Sequence, residues 1–259
     1  MEDILRQFAP ITLDEMSGIR LMNRTDTKFV TTLPMLMQLL EMAKDDYFVQ
    51  EIDGAHVAAY YTVYFDTPDC AMYTAHETGH TNRQKLRVRS YVDSHLNFLE
   101  VKTKNNHGRT KKKRISLDDF NPERSALFDV QSSAYSDFLS TNLRYSPLTL
   151  SRQLENRFSR ITLVNKGKTE RLTIDTNLRF HNIVTDQSRL MDDIVIIELK
   201  RDGLVSSPIL AMLRHLRIKP HGFSKYVIGS ALTNQQLHCH RMKPKVYDIE
   251  RMLVRMRKM

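Results

Sequence analysis

Arg83-Gln84-Lys85-Leu86-Arg87-Val88-Arg89-Ser90-Tyr91 alternates charged and apolar residues, and Phe98-Leu99-Glu100-Val101-Lys102-Thr103-Lys104 repeats the pattern shortly after. A β-strand sends successive side chains to opposite faces. Lys85, Arg87 and Arg89 therefore share one face, with Leu86 and Val88 on the other, and Glu100, Lys102 and Lys104 share a face of the second strand. One such strand would be an ordinary half-buried strand with its charges in water. The pattern recurs, however, at Arg24/Asp26/Lys28, Lys112/Arg114, Arg171/Thr173/Asp175 and Glu198/Lys200. So many strands with one charged face point to a sheet whose polar face has a task.

The chain of 259 residues is long enough to bury a large core and reads as one domain, residues 1–259, with its body over about 20–230. Its 41% apolar content is that of a globular protein. A formal charge of +9 points to an anionic partner, which composition leaves open as nucleic acid, a phosphorylated small molecule or an acidic membrane. Cys70 and Cys239 make no disulfide framework. The N-terminus lacks a signal-peptide core, and no apolar run approaches the roughly 20 residues that span a bilayer. The expectation is a soluble, cytoplasmic protein.

Along the chain, a short N-terminal helix precedes a strand over Gly18–Thr31. Thr32 and Pro34 then open a helix through Leu36, Leu39, Leu40 and Ala43. Val57–Asp66 reads as a strand, and a basic strand over Arg109–Leu117 follows the two quoted above. Pro122–Asn142 reads as helical. Leu148–Val164 and Thr169–Ile174 form a hairpin, Ile194–Lys200 a strand, and Pro208–Leu216 and Lys225–Leu232 helices. An amphipathic helix over 246–258 places Ile249, Met252, Leu253 and Met256 on one face. The expected class is α+β, with an antiparallel eight-stranded β-barrel and flanking helices. If the alternating bases point into such a barrel, they line a basic tunnel. Burying so many like charges is costly unless an anion neutralises them, and phosphate chains match Arg and Lys donors.

Tyr60-Tyr61-Thr62-Val63-Tyr64-Phe65-Asp66-Thr67, then Tyr73, His76, Gly79 and the alternating bases to Tyr91, resemble the VTC domain. This is the polyphosphate polymerase module of the CYTH-like, triphosphate tunnel superfamily. Phe98–Lys102, Phe158-x-Arg160, Arg171–Asp175, Ile197–Lys200 and Ser224-Lys225-Tyr226 continue the resemblance over about residues 20–230. It implies an eight-stranded tunnel that binds ATP or another nucleoside triphosphate, polyphosphate or pyrophosphate, with a divalent metal, Mn²⁺ or Mg²⁺. It also implies a stand-alone soluble domain of the bacterial kind.

The tunnel-lining bases of the family resemble Lys28, Lys85, Arg87, Arg89, Lys102, Lys112, Arg160, Arg171, Lys200 and Lys225 here, with Glu198, Lys200, Arg160 and Arg171 at the reacting phosphates. Glu198 resembles the metal-binding carboxylate and is in phase with Lys200; Glu100 is a second acidic position, either ligand or charge partner. Two departures are visible. The superfamily opens on Glu-x-Glu-x-Lys where this chain has Arg24-x-Asp26-x-Lys28, and its Tyr-x-Arg is Phe158-x-Arg160 here. The exchange of a carboxylate for a base shifts the tunnel toward anion binding and away from multi-metal hydrolysis.

The expected function is metal-dependent phosphoryl transfer, with polyphosphate synthesis from ATP favoured. A triphosphatase or polyphosphatase, and a module that holds polyphosphate or nucleotide without turnover, are the alternatives. Each site residue also has a plainer reading: the bases as a solvated sheet face, Glu198 and Lys200 as a cross-strand ion pair, and Lys111–Arg114 as a surface run. His76-Glu77-Thr78-Gly79-His80 spells H-E-x-x-H, but Gly79 and the strand from Arg83 argue against the helix a zinc site needs. His238-Cys239-His240 reads as a loop. The basic C-terminal helix, with Arg251, Arg255, Arg257 and Lys258, reads as packing its apolar stripe on the domain rather than touching lipid. Tyr60, Tyr61, Tyr64 and Phe65 alternate poorly and read as packing, so no nucleic-acid partner is expected.

Overall fold

The computed structural model describes residues 1–17, 24–107, 109–203 and 205–256. A short helix α1 (Glu2–Leu5), strand β1 (Ala9–Ile11) and helix α2 (Leu13–Ser17) come first. The expected strand over Gly18–Thr31 lies partly outside the described residues; its described part is β2 (Arg24–Thr32). Helix α3 (Leu33–Ala43) follows with Thr32 in extended conformation at its N-cap and Pro34 in its first turn, and Leu36, Leu39, Leu40 and Ala43 are buried. Strands β3 (Tyr47–Gln50) and β4 (Ala58–Asp66), helix α4 (Ala71–Glu77), and strands β5 (Arg83–Tyr91), β6 (Leu96–Lys104) and β7 (Thr110–Ser116) complete the first half.

The second half carries α5 (Ser136–Asn142), β8 (Ser151–Asn165), β9 (Glu170–Asn182), β10 (Ser188–Met191), β11 (Ile194–Asp202), α6 (Pro208–His215), α7 (Lys225–Thr233) and α8 (Lys243–Met256). The long helix expected over Pro122–Asn142 breaks into 3₁₀ turns at Pro122–Leu127 and Ser133–Tyr135 before α5. Arg124 leaves helical geometry, and Ser132 accepts a hydrogen bond from the Ala134 amide. Short polar side chains thus compete for the backbone where apolar spacing is loose. Helix α8 starts three residues before the expected helix, and the expected end at 257–258 lies outside the described residues.

Among the described residues the strands form one sheet of eleven, not eight. Its main path, β2-β11-β9-β8-β4-β5-β6-β7, contains eight strands and is antiparallel throughout. β10 adds to β9, and β3 joins β8 and pairs in parallel with β1. Among the described residues the ends of the path, β2 and β7, do not pair with one another, so the strands form a curled sheet rather than a clearly closed eight-stranded barrel. The curl is nonetheless deep. Lys28 Nζ on β2 donates to Phe223 O at 3.2 Å, and Lys85 Nζ on β5 donates to Ser224 Oγ at 2.8 Å. Strands from both halves of the path thus reach adjacent residues at the start of α7.

Period-two burial sorts the faces. On the outer side, Ile161, Leu163, Leu172, Ile174, Ile197 and Leu199 pack against α1, α3 and α6. Leu86, Val88, Leu99 and Val101 pack outward under the segment that carries Leu117, Phe120, Val130, Leu139 and Leu143. The inner face divides along its length. At one end Leu154, Phe158, Phe180, Ile194 and Ile196 meet Tyr226, Val227 and Ile228 of α7; at the other it is charged. Gly229 lets α7 lie close there: a Cβ would stand 2.4 Å from Phe180 Cδ1 and 2.8 Å from Leu154 Cδ2. No described helix is long and apolar enough to cross a membrane.

Candidate functional site

Sheet register brings the predicted residues into rows on the inner face. Lys28, Glu198 and Thr173 stand side by side on β2, β11 and β9, and Asp26, Lys200 and Arg171 form the next row. Across the curl, Lys85, Lys102 and Lys112 form one row on β5, β6 and β7, and Arg87, Glu100 and Arg114 another. Arg160 on β8 lies opposite Asp175 on β9. Lys225 enters from the first turn of α7, whose N-terminal end faces Lys85 through Ser224. A helix N-terminus pointed into a cluster of bases adds to its attraction for anions.

The lining carboxylates are not equivalent. Glu100 is fully buried; Arg87 donates to its Oε2 through Nε (2.8 Å) and a terminal nitrogen (2.6 Å), and Lys112 Nζ donates to Oε1 at 3.1 Å. Burial alone would raise its pKa, but the Arg87, Arg89 and Lys112 charges lower it to about 2. Both oxygens are engaged, Oε2 by Arg87 and Oε1 by Lys112. Asp175 is likewise committed. Arg160 grips it bidentately at 2.6 and 2.9 Å, and Lys225 donates to its Oδ2. These charges hold its carboxyl well below the usual range against the opposing effect of burial.

Glu198 differs. Among the described residues it makes no hydrogen bond, and Lys200 Nζ stands 4.0 Å away. Burial would raise its pKa, yet Lys28, Lys200, Lys102 and Arg160 outweigh it and lower the value to about 2. An ionised carboxylate held by no hydrogen bond and only loosely paired with Lys200 is the donor a hard divalent cation accepts. No group of three or more His, Cys, Asp or Glu among the described residues makes a complete metal cage. One carboxylate completed by substrate phosphate oxygens and water is a usual Mg²⁺ arrangement, so the donor set fits a metal that arrives with phosphate.

The bases are correspondingly over-supplied. Lys85 falls well below its ordinary pKa through burial and then through Lys28 and Lys102. Lys102 does so chiefly through Arg87, then burial and Arg89. Lys225 falls to about 7, burial and Arg160 outweighing Asp175. Arg89 is 8% exposed and its Nε has no hydrogen-bond partner among the described residues. Its guanidinium lies 5.8 Å from the ring centres of both Tyr60 and Phe158. Arg160 lies 4.8 Å from Tyr60, and Lys225 Nζ 4.2 Å from Phe158. These rings hold cations in place without neutralising them.

The sequence reading missed three parts of this site. Asp175 shares the phase of Arg171 and Thr173, but nothing local marks it as the partner of Arg160 and Lys225. Tyr60 was masked by its aromatic neighbour Tyr61, which turns outward to bond Ser125. Ser224 bears no signal beyond a possible helix cap. Phe158 in place of Tyr keeps the stacking and gives up a hydroxyl. In the H-E-x-x-H stretch α4 ends at Glu77, and Gly79 at φ +83° separates His76 from His80. His238 and His240 stack on each other in a loop, 5.9 Å apart.

Two solved structures share the fold. A candidate adenylate cyclase from Bacillus halodurans is 15% identical with TM-score 0.50, covering 78% of this chain and 96% of its own. A candidate adenylyl cyclase from Hippeastrum, described as revealing a dominant triphosphatase activity, is 14% identical with TM-score 0.52, covering 82% and 99%. No curated protein matches the sequence. The family model of the VTC domain matches residues 23–234, which span every row of the charged face, and the chain belongs to the VTC domain family.

Proposed function

We propose that the inner face binds the triphosphate of ATP or the end of a phosphate chain and carries metal-dependent phosphoryl transfer, in the direction of polyphosphate synthesis. The observation that carries this reading is the Glu198 carboxylate, ionised and without a hydrogen bond among the described residues, within a face where bases outnumber acids. Phosphoryl transfer asks little covalent chemistry of a protein; positioning and charge neutralisation do most of the work.

Lys28, Lys85, Arg89 and Lys102 grip non-bridging phosphate oxygens. Arg160 and Arg171, with Lys200, neutralise charge at the transferred group. Arg87 and Lys112 are fixed by Glu100, and Lys225 by Asp175, so these donors are set before substrate arrives and need little reorganisation. Glu198 would hold Mn²⁺ or Mg²⁺, which supplies Lewis-acid polarisation of phosphate oxygens. The cyclase-like neighbours argue only for the fold, but the triphosphatase activity in one of their descriptions makes water a second acceptor to test. Cytoplasmic placement belongs to this reading too, since ATP would be the phosphate donor.

The test is incubation of the purified protein with ATP and Mn²⁺, with the products resolved into long-chain polyphosphate and free phosphate. Long chains are expected. Free phosphate alone would replace the polymerase with a triphosphatase, and no product with any divalent metal would leave a binding module.

A further inference from the structure

A cavity of about 310 Å³ lies on the outer side of β5, β6 and β7, behind the charged face. Its floor is set by register: Gln84, Thr103 and Lys111 stand in one row across the three strands, with Val101 and Lys113 in the next. Its other wall is Thr141, Asn142, Leu143 and Arg144, at the end of α5. Lys111, Lys113 and Arg144 line it, and no acidic residue does. The strand that sends Lys112 and Arg114 to the inner face therefore sends Lys111 and Lys113 into a separate pocket.

From this geometry we infer a second anion site, outside the tunnel, that takes a small phosphate-bearing anion of the size of pyrophosphate or tripolyphosphate. The volume is near the lower end of ligand pockets, roughly 300 Å³. Gln84 makes the site a built one. Only 3% exposed, it donates to Thr103 Oγ1 (2.9 Å) and Asn142 O (2.8 Å) and accepts from the Arg144 amide (2.8 Å). It thereby fixes the wall that bears Arg144 against the strand floor. It also covers the Asn142 carbonyl, which would otherwise face an anion with its negative end.

The site has a mechanical consequence. Among the described residues β7 pairs with β6 alone and ends the sheet. An anion bridging Lys111 and Lys113 to Arg144 ties this edge strand to the α5 wall, and β7 also carries Lys112, the base on Glu100 Oε1. Occupancy outside thus steadies the lining inside. Binding at the pocket is independent of the tunnel's reaction; the effect on the tunnel rests on the function proposed above.

The test is calorimetric titration of the full chain with tripolyphosphate, for the wild type, Lys111→Gln/Lys113→Gln and Arg144→Gln. The wild type is expected to show two classes of site. Each variant should weaken one class about tenfold and leave the other unchanged, whereas Lys28→Gln does the reverse. A single class in the wild type, or pocket variants that titrate like it, overturns the inference. All three exchanged side chains are exposed, and a melting curve checks folding. Should one variant fail to fold, the other decides. Long-chain polyphosphate separates the two sources of the anion. One tight class spanning both sites marks the tunnel's own chain, and two independent classes mark a free phosphorylated small molecule. Inactivity toward ATP would defeat the function proposed above without touching this binding result.

Discussion

Glu100 on β6 and Glu198 on β11 are the same side chain on one inner face, in rows that stand across the curl from each other, and their partners give them different work. Glu100 neutralises Arg87 in a fully buried site, so Glu100→Gln leaves a buried guanidinium without its counter-charge. The expected loss is about 3–5 kcal/mol in denaturant unfolding, partly restored by tripolyphosphate. Glu198 holds no side chain by a hydrogen bond. Glu198→Gln should therefore retain or tighten tripolyphosphate binding while lowering metal-dependent turnover at least about a hundredfold, as expected when an essential electrostatic group is removed. Loss of binding together with turnover would show Glu198 to be a structural partner of Lys200 instead. Residues with one evident chemistry were readable from the sequence: Lys85, Arg87 and Arg89 needed only their alternation. Asp175 was not, because its commitment to Arg160 and Lys225 joins β9 to β8 and to a helix fifty positions later.

At the scale of elements, α7 decides where the inner face is apolar and where it is open. Gly229→Ala places a methyl within 2.4–2.8 Å of Phe180 and Leu154. It should cost about 1–3 kcal/mol by overpacking, read as a lower melting temperature. Since Ser224 and Lys225 sit at the start of the same helix, the variant should also weaken tripolyphosphate binding. The strand β7 is the converse case. It reads as four consecutive bases, Lys111 to Arg114, and alternation divides them between two faces of the sheet edge. Lys112 reaches Glu100, Arg114 lies 4.1 Å from the Phe98 ring centre, and Lys111 and Lys113 line the outer pocket. Charged residues on a terminal strand also discourage edge-to-edge pairing with another molecule. The short strands β1, β3 and β10 escaped the sequence reading because three or four residues are too few to show a period.

For the molecule as a whole, the crowded bases predict how binding responds to pH. Lys85, Lys102 and Lys225 have pKa values below their ordinary ones, Lys225 at about 7. Between the folded and unfolded values a depressed lysine is charged when unfolded and neutral when folded, so stability without ligand rises with pH from about 7 toward 10.5. A bound polyanion favours the charged form. Tripolyphosphate binding should therefore take up protons, and its affinity should rise as pH falls from 9 to 7; titrations in buffers of different ionisation enthalpy measure this. For Glu100 and Glu198 the sign is opposite. Their contribution is present above the unfolded value of about 4.5 and is lost as pH falls through about 2. Tripolyphosphate at a hundred times its dissociation constant should stabilise the fold by about 2.7 kcal/mol. That corresponds to a rise in melting temperature of roughly 5–10 °C by scanning calorimetry. An unchanged melting temperature would mean that the inner face does not bind it.

The alternation of charged and apolar residues by itself determined the class of fold and the face on which each base lies, because side-chain direction in a strand is a local property with period two. It did not determine whether the sheet closes, which carboxylates are already taken, or that β7 serves two sites. Those depend on curvature, on the number of strands and on the seat of α7. They are set by contacts such as Lys28 with Phe223 and Lys85 with Ser224, which join residues more than a hundred positions apart. No local periodicity carries that information; it comes from packing of the whole chain.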